Sequence, residues 1–455
     1  MSKLQTTEGG LRMLQQGSGL RQGQQVADLL ELFIGPLGGW LDARLDRRLV
    51  RTFFLALVSM VRLRHNRSGL LLSELGAHII SPDRAPAGTK RLSNLLRSPK
   101  WSHGLLERLL WHRAELSLAL LGEQGEAALA IWDESVLEKP ESIVLEGLGP
   151  VRSSKAARLK RIKPGYYHPP GGRPVFVPGM QWLTVMVAGM RGPPTLAAMR
   201  WWTSRGPLAS HRREQTAQLL SQCAERWQQR VIHVFDRGYA GAPWLGELSR
   251  HQARFILRWP TRYHLVDAKG QRPAWQITQG KRSQDHRQIW DLHRRQYRKT
   301  GIVAVPVHHP QMDDDLWLVV SRPGKGRKPW YLLTNEPLDT TDDAWRVVLA
   351  YVRRWQVEMC YRSCKTDLAM ESPRLWFWEN RLKLLLMASL VYAFLLSLLT
   401  PPLAPLVQEI LRHWCHRTGK RHRQVAIPLS RLRSALSSLW LAHPPSLSCT
   451  TPDSG

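Results

Sequence analysis

Val231-Ile-His-Val-Phe-Asp236-Arg-Gly-Tyr239 is a short, largely apolar run closed by an aspartate and a glycine-containing turn. A continuous apolar run bounded by polar punctuation fits a buried strand of a sheet covered on both faces. The same design occurs upstream in Ala127-Ala-Leu-Ala-Ile-Trp-Asp133-Glu-Ser135. A carboxylate at the end of such a strand is held rigidly at the tip of the sheet. Between the two runs, Gly179-Met-Gln-Trp-Leu-Thr-Val-Met-Val-Ala-Gly fits a central strand, and residues 212–229 fit an amphipathic helix. The order strand, loop, strand, helix, strand predicts a mixed sheet with helices on both faces.

Working outward, the next informative stretch is Tyr351-Val-Arg-Arg354-Trp-Gln-Val-Glu358-Met-Cys-Tyr-Arg-Ser-Cys-Lys365. In one helix at about 100° per residue, Tyr351, Arg354, Glu358 and Lys365 fall within a stripe of roughly 60°. Cys360 and Cys364 point to the other side, as core residues do. Two readings of the stripe stand. One is a solvated face with i,i+3 and i,i+4 charge pairs. In the other, Glu358 joins Asp133 and Asp236 to hold one or two Mg²⁺ ions through hard oxygen ligands, which suits two-metal phosphodiester chemistry.

These residues resemble a known family. Tyr351, Arg354, Glu358 and Lys365 match, without a gap, the Y-(2)-R-(3)-E-(6)-K signature of DDE transposases of the bacterial insertion-sequence type. Asp236-Arg237-Gly238-Tyr239 matches that family's second-aspartate motif. Asp133-Glu134-Ser135 stands where the family has Asp, one residue, then Thr or Ser. The resemblance covers roughly residues 90–400. It implies a ribonuclease H-like α/β fold and cut-and-paste transposition of DNA. Asp133, Asp236 and Glu358 would be both catalytic residues and ligands of two Mg²⁺ ions, with Mn²⁺ able to substitute. Tyr351, Arg354 and Lys365 would grip phosphates near the scissile end. Arg237 either adds to that grip or forms a local salt bridge. Relatives open the second strand through a DNA hairpin and flip a base onto an aromatic. Trp259 is the candidate for that stacking residue, against the alternative of a core tryptophan. Relatives also act as homodimers.

Composition agrees without being able to show any of this. Lys and Arg total 65 against 36 Asp and Glu, a formal charge of +29, which calls for a polyanionic partner such as double-stranded DNA. Between Glu146 and Glu214 there is no acidic residue and there are twelve Lys or Arg. A solvated face normally mixes signs, so this run fits phosphate contact, with a solubilising surface as the alternative. Five scattered cysteines give no disulfide framework. Residues 384–399 are nearly all apolar but end at Thr400-Pro401-Pro402, short of the roughly 20 residues that a spanning helix needs. They read as a buried helix closing one face of the sheet, so no membrane partner is expected, and a cytoplasmic, nucleoid-associated location is.

The expected organisation has five parts. Residues 1–25, polar and rich in Gly and Gln, read as a flexible or only loosely helical N-terminus with no secretory leader. Residues 26–125 form a helical domain for binding the element's terminal inverted repeats, or a packing domain with a basic surface. Residues 126–254 and 336–402 form the catalytic domain. Asp236 and Glu358 are separated by 121 residues, far more than a strand-to-helix connection needs, so residues 255–335 read as a β-rich insertion domain. Asp313-Asp314-Asp315 lies there and reads as a hairpin turn. Residues 403–455 form a basic C-terminal region. Two rival functions remain open: a DNA-binding regulator that has lost cleavage, and a metal-dependent nuclease that cuts without joining.

Overall fold

The computed structural model describes residues 2–64, 68–139, 142, 144–153, 176–291, 296–324, 326–415 and 429–447, with the backbone alone for residues 2–18 and 291. The basic positions Lys155, Arg158, Lys160, Arg161, Lys163, Arg173, Arg417, Lys420, Arg421 and Arg423 therefore lie outside the described residues.

Five helices come first: α1 (Ser2–Asp42), α2 (Arg47–Arg62), α3 (Leu72–Ile79), α4 (Ala85–Arg97) and α5 (Gly104–Glu123). Then follow β1 (Ala128–Glu138), β2 (Gly149–Arg152), β3 (Phe176–Ala188), β4 (Thr195–Trp202), α6 (Arg212–Trp227), β5 (Val231–Phe235), α7 (Ala242–Arg250) and β6 (Arg254–Arg258). β3 is antiparallel to both β1 and β4, whereas β1, β5 and β6 run parallel. The resulting order β4-β3-β1-β5-β6 is the ribonuclease H-like order, with helices on both faces.

The strands are buried on both sides, and their parity sets the site. In β1, Leu129 and Ile131 enter one core, while Ala128, Ala130 and Trp132 enter the other. In β5, Ile232 and Val234 enter the first core, and Val231 and Phe235 the second. The period of two therefore assigns Asp133 and Asp236 to the first face.

The insertion carries β7 (His264–Asp267), β8 (Gly270–Pro273), α8 (Ala274–Thr278), β9 (Asp285–Asp291), β10 (Gln296–His309), β11 (Met312–Arg322) and β12 (Trp330–Thr334). It is not a detached unit. β12 pairs with β6, so one twelve-stranded sheet runs from β2 through the core into the insertion. The expected boundary at 255 cuts through β6, which is a strand of the core. Local alternation identifies strands but carries no record of which edge they join. The two-residue turn after β10 is Pro310-Gln311, and the three aspartates Asp313 to Asp315 are exposed at the start of β11.

The chain then returns through α9 (Thr341–Arg353), α10 (Trp355–Thr366) and α11 (Trp378–Ser397). α11 is long and apolar enough to cross a membrane, but 94% of its most apolar window is buried inside the protein. It packs on β4, α2 and α5, as a helix closing one face of the sheet.

α12 (Ala404–Trp414) and α13 (Leu429–Ala442) fold back on the N-terminal helices. α1 is helical from Ser2, and its polar residues are used: Trp440 Nε1 donates to the Gly23 carbonyl at 3.1 Å, and Trp414 Nε1 to Gln22 Oε1 at 3.2 Å. Those partners lie about 400 residues away in sequence, beyond the reach of a local composition argument. α3 and α4 cross closely at two glycines; a Cβ on Gly88 would come within 2.1 Å of the Gly76 carbonyl oxygen.

Candidate active site

The parallel ladder between β1 and β5 ends at the pair Ile131–Val234. Asp133 and Asp236 each lie two residues beyond it, side by side at the C-terminal ends of adjacent strands. Such ends are where α/β sheets place their sites. β1 continues to pair with β3, so Asp133 is anchored on one edge and open on the other.

α9 and α10 cover this open tip. α9 starts with a capping box in which the Asp343 amide donates to Thr340 Oγ1 at 3.3 Å and the Thr340 amide to Asp343 Oδ2 at 2.7 Å. At its far end, Tyr351 donates its hydroxyl hydrogen to Asp236 Oδ1 at 3.0 Å. The single helix expected over 351–365 is interrupted at Arg354. The amides of Arg354 and Val357 donate to carbonyls three residues back, a local tightening that breaks the i,i+4 ladder between α9 and α10. A periodicity count treats the turn as uniform and does not register this. The side chains nevertheless converge. Arg354 Nη1 donates to Asp133 Oδ2 at 3.2 Å and Nη2 to Glu358 Oε1. Lys365 Nζ donates to Ser135 Oγ at 2.8 Å. Cys360 and Cys364 are fully buried on the opposite side.

The electrostatics follow from burial and crowding. Burial pushes the Asp133 carboxyl up to about 6; Arg354 opposes this, while Asp236 and Glu358 add to it. For Asp236, burial also works upward, but Arg354, the Arg237 amide, the Tyr351 hydroxyl and Arg258 hold it below the ordinary carboxylate value. Burial and the neighbouring Asp236 raise Tyr351 to about 12, so it stays a hydrogen-bond donor.

The donor set of Asp133, Asp236 and Glu358 suits a hard divalent cation. The elevated Asp133 carboxyl marks a carboxylate that the fold buries, with the nearby Asp236 and Glu358 adding a smaller push. Among the described residues no three His, Cys, Asp or Glu side chains approach closely enough to form a closed ligand set, and the Arg354 guanidinium bridges Asp133 and Glu358. The residues fit the ion in kind, with Arg354 as the group that must yield.

Of the two readings weighed for Trp259, the structure supports the core one. Trp259 is 2% exposed and packs edge-on against Tyr263 and His309. The preceding Arg258 lies 3.8 Å from Asp236, so the two neighbours take opposite faces and Trp259 is a core residue. Arg237 is exposed in the turn after Asp236. Sequence reasoning missed the tryptophans that do border the site, Trp290, Trp330 and Trp355. Trp330 packs edge-on against Tyr351 at 5.1 Å. It lines a cleft of about 570 Å³ together with Arg258, Arg298, Lys328, Trp290 and Glu358. The signal available was its place at the start of a strand after a Gly- and Lys-rich turn.

Residues 207–394 match the family model of the transposase DDE domain. That span contains Asp236 and Glu358, whereas Asp133 lies upstream of it and is brought beside them by the sheet register and by Arg354. A solved structure of a piggyBac transposase synaptic complex with hairpin DNA is similar at 14% identity and a TM-score of 0.41, over 87% of this chain and 71% of that one.

Proposed function

We propose that this chain is a DDE transposase that cuts an element's DNA ends and joins them to target DNA. The observation that carries the reading is the register-matched pair Asp133 and Asp236 facing Glu358, within a chain matching the DDE domain over 207–394. Asp133, Asp236 and Glu358 would hold divalent metal, two Mg²⁺ ions or Mn²⁺ in their place. Bound metal supplies activation of water or a 3′-hydroxyl and stabilisation of the leaving oxygen in an in-line displacement. Tyr351 orients Asp236. Arg354, released from the carboxylates, is within reach of a scissile phosphate, where a guanidinium binds bidentately. Lys365 adds a point charge beside Ser135.

The cleft beside Glu358 combines cations with Trp330, a composition that suits a DNA end with an unpaired base. Trp330 takes the stacking role first considered for Trp259, and a hairpin intermediate belongs to this reading. Away from the site, α4 exposes Lys90, Arg91, Asn94 and Arg97 with no acidic neighbour on the helix, a face suited to reading an element end. Two copies acting on paired ends complete the proposal.

The test is cleavage of a labelled element-end duplex in Mg²⁺ by wild type and Glu358→Gln. Cutting and strand transfer by wild type, lost in the variant while end binding persists, support the reading. Binding without cutting by either protein favours a regulator, and cutting without joining favours a nuclease. Equal cutting by both removes Glu358 from the site.

A further inference from the structure

On the face of the sheet behind the carboxylates, Arg212 ties β1 to the turn that follows Asp236 at the end of β5. Its Nε donates to both Glu134 oxygens, at 2.8 and 2.7 Å, and its Nη1 donates to the Gly238 carbonyl at 2.9 Å. The guanidinium carbon lies 4.7 Å from the centre of the Tyr239 ring. Glu134 follows Asp133, and Gly238 is two residues after Asp236. By strand parity Glu134 faces the core of Trp132 and Tyr239, so the pair lies opposite Arg354 and Glu358.

The placement matters because the backbone ladder stops short of the site. β1 and β5 last pair at Ile131–Val234, and no ladder hydrogen bond fixes the separation of Asp133 from Asp236 beyond that point. Arg212 supplies a link where the ladder has ended. A planar guanidinium can hold a carboxylate and a carbonyl at once, which a lysine ammonium on a flexible stem does not reproduce.

We propose that Arg212 and Glu134 are positioning residues that set the spacing of the two aspartates for divalent metal, acting through the backbone from behind the sheet. This rests on Asp133 and Asp236 being metal ligands. Simple electrostatics and positioning differ in sign. If only charge mattered, removing the Arg212 cation would tighten metal binding and removing the Glu134 anion would weaken it. If the pair sets the spacing, both losses weaken it.

The experiment is titration of the full chain, without DNA, with Mn²⁺, following free Mn²⁺ by electron paramagnetic resonance. The proteins are wild type, Asp133→Asn, Glu134→Gln, Arg212→Ala, Arg212→Lys and the Glu134→Gln/Arg212→Ala double variant. We expect about a tenfold or greater loss of affinity in Glu134→Gln, Arg212→Ala and Arg212→Lys, the scale typical of groups that orient metal ligands. The double variant should lose no more than the worse single one, because the two residues act as a unit. Should Arg212→Ala fail to fold, as judged by circular dichroism, the nearly isosteric Glu134→Gln decides. Unchanged or tighter binding by Arg212→Ala, or unchanged binding by a folded Glu134→Gln, overturns the proposal. Full binding by Asp133→Asn instead overturns the ligand assignment beneath it.

Discussion

Tyr351 Oη lies 3.0 Å from Asp236 Oδ1, and the Tyr351 ring packs on Trp330, so one side chain joins a strand-end carboxylate to the wall of the basic cleft. Deleting the hydroxyl alone tests the first half of that link. Tyr351→Phe keeps the ring contact and loses a bond to a charged acceptor, of the order of 1.5–3 kcal/mol. Single-turnover cleavage should slow by about tenfold or more, with end binding by fluorescence anisotropy unchanged. An unaltered rate would leave the hydrogen bond without a catalytic consequence.

Asp133 is held in the fold at a cost to stability. Its carboxyl is raised from 3.8 to about 6 in the fold, chiefly by burial. Between those pH values the native protein binds a proton that the unfolded chain has released, so stability falls as pH rises through that window. Above it, Asp133 is charged and destabilising. Asp133→Asn should therefore melt a few degrees higher than wild type at pH 7 in chelator while losing cleavage, and the gain should fade towards pH 4. Differential scanning calorimetry at both pH values checks this; a lower melting point at pH 7 refutes it.

His233 carries the opposite dependence. It is fully buried beside Trp132, whose Nε1 donates to His233 Nδ1 at 2.9 Å, and burial pushes its pKa from 6.5 down to about 3. In that interval the unfolded chain binds the proton and the fold does not, so stability declines as pH falls below about 6.5. His233→Gln retains an acceptor for Trp132 and removes the titration. Urea melts from pH 7 to pH 4 should show a flatter acid decline in the variant than in wild type.

The two tryptophans near the cleft should part company on substitution. Trp259→Ala empties a core position and should cost about 3–5 kcal/mol, read as a lowered urea midpoint. Trp330→Ala, at a half-buried wall of the cleft, should leave folding nearly intact. On denaturing gels of an end-cleavage reaction it should retain first-strand nicking and lose hairpin product. Equal hairpin yield from Trp330→Ala and wild type would detach the cleft from end processing.

Much of the site was legible because its parts are local. The apolar runs ending at Asp133 and Asp236, the stripe carrying Glu358 and the apolar run that became α11 are all periodic signals within a few turns or strands. The details that were not legible depend on distant partners. The break at Arg354 accompanies a side chain shared between Asp133 and Glu358, one of them 221 residues away. The burial of Trp259 depends in part on His309, across the insertion. With 20 tryptophans in the chain, nothing in the neighbourhood of residues 259 or 330 tells which ring a cleft will expose. The pairing of β12 with β6, which makes the insertion part of the sheet, is likewise a long-range choice.

That pairing decides how the cleft can accommodate a substrate. An insertion joined by a flexible linker would act as a jaw, swinging shut over whatever was bound. Here β6, β12, β11 and β10 are ribs of a single beam, cross-linked by hydrogen bonds from the strands that carry the aspartates to the cleft's far wall. For the proposed transposase, the Trp330 wall of the cleft is therefore part of the sheet itself, and a DNA end would have to bend, unpair or unstack to pass it.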